Sequence, residues 1–237
     1  QRKAEADKID VQVTNNTARY DAYEKLQTLG QAVQDSLSSI KKNYSVLAQN
    51  NGLFDQRTGT LSSSSTSNLM AVSIDPGTDL GSYELEVVSK AKAQKVGSDT
   101  TFTDKTSDLG YTGTFDIAIA GKTASTINVT SDMSLDELAT AINASSTTSG
   151  VKASVIQVTS TNFQLVLTGA DTAKSISVSN ITGTDVLQSI GMTSGGSVFT
   201  HELQPAQIGE IKVDGISYTR DTNNFDDVIS GVNLTVK

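Results

Sequence analysis

The chain has no cysteine, no tryptophan, one histidine and two prolines in 237 residues. Without cysteine there are no disulfides, thiolate nucleophiles or Cys-ligated metals, and the redox compartment is left open. A single histidine, His201 between Thr200 and Glu202, lacks the neighbouring ligands a zinc site needs and the orienting group a general base normally has. Aromatic residues make up only 5%, so large hydrophobic anchors are few. Unbroken apolar runs last a few residues, far short of the roughly 18 to 20 that a membrane-spanning helix needs. Basic residues are also short, 18 against 26 acidic ones, for a formal net charge of −8. That balance disfavours phosphate backbones and anionic lipid, so neither nucleic acid nor membrane is expected as a partner. The N-terminus, QRKAEADKID, has no apolar core behind its basic residues and does not read as a secretory signal.

What is present changes period partway along. Leu26, Leu29, Val33, Leu37, Ile40, Tyr44 and Leu47 follow one another in steps of three, four, four, three, four and three. Those steps place one apolar stripe along a helix interrupted only by Gly30. A helix of roughly 45 residues would run about 70 Å, longer than a globular domain usually supplies, so the stripe is expected to face protein. The stretch QNNGLFDQRTGTLSSSSTSN then breaks the pattern, and the spacing turns from 3.6 to 2. From NLMAVSID to GVNLTVK the chain is a succession of short Val-, Ile- and Thr-rich segments divided by Gly, Asp and Asn.

Two or three short helices are expected among these strands. SLDELATAIN opens on a capping box of Ser134 and Glu137, TDVLQSIG runs from Thr184 to Gly191, and NFDDVISG offers Asn224 as cap, Asp227 three residues on and Gly231 as stop. The fold class expected is mainly β with a long N-terminal α-helix: two small β-rich head domains, one inserted in the other, on a helical leg. The boundaries expected are 1–60 for the leg, 66–101 with 198–237 for the first head domain, and 102–197 for the inserted one.

Neighbouring carboxylates, Asp136 with Glu137 and Asp226 with Asp227, are read as helix caps, because adjacent helical residues point apart whereas a glycosidase pair must converge. DTNNFDD carries Phe225 where a calcium loop needs a ligand. No phosphate cradle and no nucleophile elbow occur. Neither catalytic residue, cofactor site nor metal site is expected, and the chain is not expected to be an enzyme.

Three blocks carry a family resemblance. AQIGEIKVDGISYTRDTNNFDDVISGVNLTVK resembles a block of the bacterial flagellar filament cap proteins, the hook-associated protein 2 family, through Val213, Asp214, Gly215, Asn223, Asp227, Val228, Ile229, Gly231, Val232 and Leu234. GSYELEVVSKAKAQKVGSDTTF is similar through Gly81, Tyr83, Val87, Ala91, Gln94 and Phe102, and the stretch from SLDELATAIN to FQLVLTG resembles a motif shared with flagellin-type proteins, through Leu135, Leu138, Ile142, Asn143, Val151, Ala153, Leu165 and Gly169. Val88 to Lys90, and Ile208 at a usually acidic position, depart from the pattern.

The resemblance implies an outgoing and a returning leg helix, with the return helix and both termini outside this sequence, and a nested two-domain head. It implies a homo-oligomeric ring of roughly four to six subunits at the distal end of an extracellular filament, exported without a cleaved signal peptide. The ring would promote folding and insertion of flagellin and meet the hook-filament junction proteins. The alternative reading is a tip adhesin that binds host mucin or glycan through the head.

Overall fold

The computed structural model describes residues 2–38, 56–62 and 69–237. They fall into two compact units, residues 1–60 with 73–80 and residues 61–72 with 81–237.

In the first unit, helix α1 covers Arg2–Ser38. Ala, Leu, Gln, Lys and Glu supply most of its helical propensity, and proline is absent. Its β-branched and polar positions are accommodated by back-bonding: the hydroxyls of Thr14, Thr17 and Thr28 donate to the carbonyls four residues earlier. Gly30 has open space on its Cβ side, so nothing packs there to require a glycine. The remainder of the helix expected to reach residue 47 lies outside the described residues. Elsewhere in the unit, the Arg57 guanidinium donates to the Thr78 carbonyl at 2.9 Å.

The second unit is built of strands β1 (Met70–Ile74, straddling the two units), β2 (Leu85–Ser89), β3 (Lys95–Gly97), β4 (Gly113–Ile119) and β5 (Ser125–Val129), followed by helices α2 (Leu135–Ala144) and α3 (Ser146–Ser149). Strands β6 (Val151–Gln157), β7 (Phe163–Gly169) and β8 (Ile176–Gly183) come next, and a single turn, α4 (Val186–Ser189), follows. The chain ends in β9 (Glu202–Gln204), β10 (Gly209–Val213), β11 (Ile216–Arg220), β12 (Asn224–Ile229) and β13 (Val232–Val236). They form four sheets, ordered β1-β13-β12, β11-β10-β2, β6-β7-β3-β9 and β5-β4-β8. The β6-β7-β3-β9 sheet therefore draws strands from both sides of the expected seams at 101/102 and 197/198.

Two sets of buried side chains correspond to these sheets. The larger core joins Phe115, Ile117 and Ile119 of β4 to Leu165 and Leu167 of β7, to Leu135, Leu138 and Ile142 of α2, and to Leu187, Ile190 and Met192 around α4. Outside that cluster, Ile211, Val213, Phe225, Leu234 and Val236 are buried on the remaining strands. The alternation seen in the sequence is the cause: in β10 the inward residues Gly209, Ile211 and Val213 are buried while Glu210 and Lys212 stand partly in solvent.

Helix α2 begins as expected. The Ser134 hydroxyl accepts from the Glu137 N–H, and the Glu137 carboxylate accepts from the Ser134 N–H at 2.9 Å. The expectation for TDVLQSIG needs a small correction: Asp185, not Thr184, caps the turn, accepting from the Gln188 N–H at 3.1 Å. The expectation for NFDDVISG is overturned. Residues 224–229 are a strand that returns antiparallel along β13, with Phe225 opposite Leu234 and Ile229 opposite Val232. Burial of Phe225 against Leu234 outweighs the local capping signal, and Asn224 accepts from the Thr235 hydroxyl across the hairpin instead of capping a helix. A register shift between Phe225 and Ile229 leaves both aspartates exposed, which disguised the alternation. Gly231 still has a local role as a turn, with φ of 73°.

The packing carries a direct consequence. Leu138→Ala removes a wholly buried side chain from the larger core and is expected to lower unfolding free energy by about 2 to 5 kcal/mol in urea denaturation. Gly150→Ala is expected to destabilise as well, because Gly150 has φ of 70° and an added Cβ would lie 2.7 Å from Ile119 Cδ1.

Candidate interaction surfaces

The titratable residues weighed as chemistry are part of the frame. His201 Nδ1 lies 3.7 Å from Asp99 Oδ1, too long for a hydrogen bond, so Asp99 does not orient the ring. Asp136 pairs with Lys105 at 2.8 Å while Glu137 closes the capping box. Arg220 grips Asp227 with two guanidinium nitrogens at 2.7 to 3.0 Å, and that hydrogen-bonded ion pair holds the carboxyl below its ordinary range. A shallow groove of about 380 Å³ is lined by Ile208, Thr219, Arg220, Asp221 and Thr222, but both of its charged side chains are engaged, Arg220 by Asp227 and Asp221 by Lys174. Among the described residues no group of three or more His, Asp or Glu side chains is placed to hold a metal ion, and no helix is long and apolar enough to cross a membrane.

The positions on which the family resemblance rests divide into buried apolar side chains, such as Leu135, Leu138, Ile142, Leu165 and Leu234, and a few polar ones that complete backbone hydrogen bonds. Asp214 and Gly215 have φ of 50° and 82° and close the β10–β11 hairpin, and the Asp214 carboxylate accepts from the Glu84 N–H at 2.8 Å. The Asn223 amide brackets Ala91, accepting from its N–H and donating to its carbonyl. Asn143 does the same to Ala153 on β6, at 2.9 and 2.8 Å. Since β6 is an edge strand, that amide occupies pairing groups another strand could otherwise take. Gln94 accepts from the Ile176 N–H at 2.6 Å and donates to Glu202 at 2.5 Å.

The apolar surface lies on α1. Leu26, Leu29, Val33 and Leu37 are 56% to 66% exposed and share one side of the helix. Ile40, Tyr44 and Leu47 lie outside the described residues. Sequence reasoning passed over a second group, Ile9, Val13, Tyr20 and Tyr23, also well exposed. At about 100° per residue, this group is centred roughly a third of a turn away from the first. Its steps of four, seven and three were the available signal. So much leucine and tyrosine exposed on one helix makes it a candidate interface.

Comparison with known proteins agrees with these features. A family model described as the flagellar hook-associated protein 2 N-terminus matches residues 1–94, and one described as the flagellin hook IN motif matches residues 114–171. The flagellar hook-associated protein 2 of Salmonella typhimurium is 34% identical over 109 residues, 44% of this chain and 22% of that protein. The matched part thus spans about a fifth of the relative. The flagellar cap protein FliD of Escherichia coli, solved as its D1-D2-D3 domains, shares the fold with a TM-score of 0.63 at 23% identity, over 73% of this chain and 49% of that one. FliD (HAP2) from Pseudomonas aeruginosa superposes with a TM-score of 0.57 at 26% identity, over 71% of this chain and 78% of that one.

One acid is set apart by its local bonds. Asp104 accepts from the Thr106 hydroxyl and N–H at 2.7 and 2.8 Å and from the Ser107 hydroxyl at 2.7 Å, which lowers its pKa from 3.8 to about 2. Because the folded value is depressed, its stabilising effect is complete above the ordinary value and fades as pH falls toward about 2. A carboxyl NMR titration is expected to give a midpoint near 2 for Asp104, moving back toward 3.8 in Thr106→Val.

Proposed function

We propose, from its similarity to the flagellar hook-associated protein 2 family, that this chain forms part of a protein capping the distal end of the bacterial flagellar filament. There it promotes folding and insertion of exported flagellin subunits. The observation that carries the reading is the combination in one chain of a long, apolar-faced helix with a β head sharing the fold of solved cap proteins. The protein works as a homo-oligomer, and its task is mechanical. The energy comes from flagellin folding and packing as each subunit leaves the export channel, and the cap biases where that occurs. Its place is outside the cell at the filament tip, reached through the flagellar export channel without cleavage of a signal peptide, next to flagellin and the hook-filament junction proteins.

The leg stripe is the contact on which assembly depends in this reading. Leu26, Leu29, Val33 and Leu37, continued by Ile40, Tyr44 and Leu47, pack against helical protein. The head, with few aromatic anchors, makes weak contacts that break and re-form. A nested division of the head, 66–101 with 198–237 around an inserted 102–197, belongs to the same proposal; the separate buried side chains support two parts, while β3, β9 and Val96 join the larger-core part and move the seam toward 92–93 and 205–207.

Supplying the complete protein to bacteria that lack their own cap protein is expected to restore filaments. Export of the protein with flagellin still shed unpolymerised into the medium would overturn the reading. Leu37→Glu separates the leg contact from the fold. In the complete assembly it places an unpaired charge in a packed face and is expected to cost about 3 kcal/mol, seen as lost oligomerisation by analytical ultracentrifugation. In the isolated 237-residue chain the position is 57% exposed, and the same change is expected to leave the unfolding midpoint of the head where it was.

A further inference from the structure

Two chain segments join the large-core part of the head to the small-core part, and they run side by side. Lys92 and Gln207 exchange backbone hydrogen bonds of 2.8 and 3.0 Å, Lys95 lies opposite Gln204, and the Gly97 N–H donates to the His201 carbonyl at 2.9 Å. Each end of this ribbon is held. Below, the Asn223 amide brackets Ala91; above, Gln94 ties β3 to Ile176 and Glu202. Between them, residues 92–93 and 205–207 form a narrow two-stranded link, and a two-stranded ribbon twists easily unless something braces it.

The loop between β7 and β8, residues 170–175, supplies a brace. Its flanking strands belong to the larger core through Leu165, Leu167 and Ile176. From there it crosses to the other side of the link. The Thr172 hydroxyl donates to the Asp221 carbonyl, the Lys174 ammonium pairs with the Asp221 carboxylate, and the Ala173 N–H donates at 3.0 Å to the Lys92 carbonyl, which also accepts from Gln207. Asp221 lies in the turn between β11 and β12, on the small-core part. Ala173 has φ of 60°, a left-handed conformation that alanine avoids unless its surroundings over-determine it. Three bonds on three consecutive residues do so here.

We propose that residues 170–175 are a latch that fixes the angle of the inserted part of the head against its base, across the ribbon at 92–93 and 205–207. Releasing the latch lets the inserted part pivot while both cores stay folded. The inference rests on the geometry of the head alone. With the latch closed the head moves as one body, and the unfavourable Ala173 backbone is maintained only while the contacts last, so the closed state is poised rather than permanent.

The test uses the whole 237-residue chain, whose lack of cysteine allows clean labelling. Nitroxides at Ser154→Cys on β6 and Ser217→Cys on β11, both exposed, report the distance across the link by double electron–electron resonance. The unaltered latch is expected to give one narrow distribution, and Thr172→Val with Lys174→Ala to broaden it about twofold or more with an unchanged circular dichroism spectrum. Ala173→Pro, which forbids the left-handed φ and removes the donor, is expected to broaden it similarly. Equal widths in the unaltered and both altered chains would overturn the proposal. In the unaltered protein the Ala173 amide is expected to exchange with solvent at least about tenfold more slowly than an open loop amide, and unprotected exchange would overturn it even if an altered chain failed to fold.

Discussion

Backbone polar groups that lose water on folding have to find partners, and in this head the places where strands stop are where that requirement is hardest to meet. The head meets it with side-chain amides. Asn143 and Asn223 each offer a donor and an acceptor at the spacing of a peptide group, and each uses both on one residue, Ala153 and Ala91. Gln94 accepts from the buried N–H at the start of β8. Removing any of the three would strand a buried or half-buried backbone group, which costs more than the bond itself contributes. The amides pin neighbouring elements to one another: Asn143 ties α2 to β6, Asn223 ties the β11–β12 turn to the chain after β2, and Gln94 ties the approach to β3 to β8.

This also explains the polar positions within the family resemblance. Asp214, Gly215, Asn223, Gln94 and Asn143 are not reactive and are not gathered into a cleft; each performs a backbone task that few other side chains can. Aspartate and glycine accept the left-handed geometry of a tight hairpin, and asparagine mimics a peptide. Such positions identify a scaffold. The proposed contact surfaces lie elsewhere, on the exposed faces of α1.

Much of the fold was legible in the sequence because local and tertiary demands coincide. Helix α2 has its capping box and its apolar spacing, and Leu135, Leu138 and Ile142 reach the core as that spacing requires. The strands with clean alternation were readable for the same reason. Residues 224–229 were not, because a cap-like Asn224, a carboxylate three residues later and a terminal glycine imitate a helix, while the register shift in β12 hides the period of two. The decisive fact was non-local: Leu234, nine residues beyond Phe225, makes a strand partner. The latch at 170–175 was invisible for a related reason, since nothing in Ala-Asp-Thr-Ala-Lys-Ser announces contact with Asp221, and a left-handed alanine leaves no compositional trace. On α1 the stripe from Leu26 onward was read and the earlier group at Ile9, Val13, Tyr20 and Tyr23 was passed over, because the change of face between them breaks any single periodic template.

The change of face on α1 has a physical implication for how one helix can engage its surroundings. A straight helix presents a given apolar stripe to one neighbour; two stripes a third of a turn apart present two. If both were buried by a single helical partner, that partner would have to wrap around α1 far more steeply than an ordinary left-handed supercoil, which shifts the seam by only about 20° per heptad. Two partners meeting different halves of α1 need no such distortion. In that arrangement the helix would contribute to two contacts, and loosening one half would leave the other engaged. Leucines and a valine on the C-terminal half favour tight packing, whereas the tyrosines of the N-terminal half combine apolar faces with hydroxyls that tolerate a wet boundary. The two halves are chemically suited to contacts of different permanence.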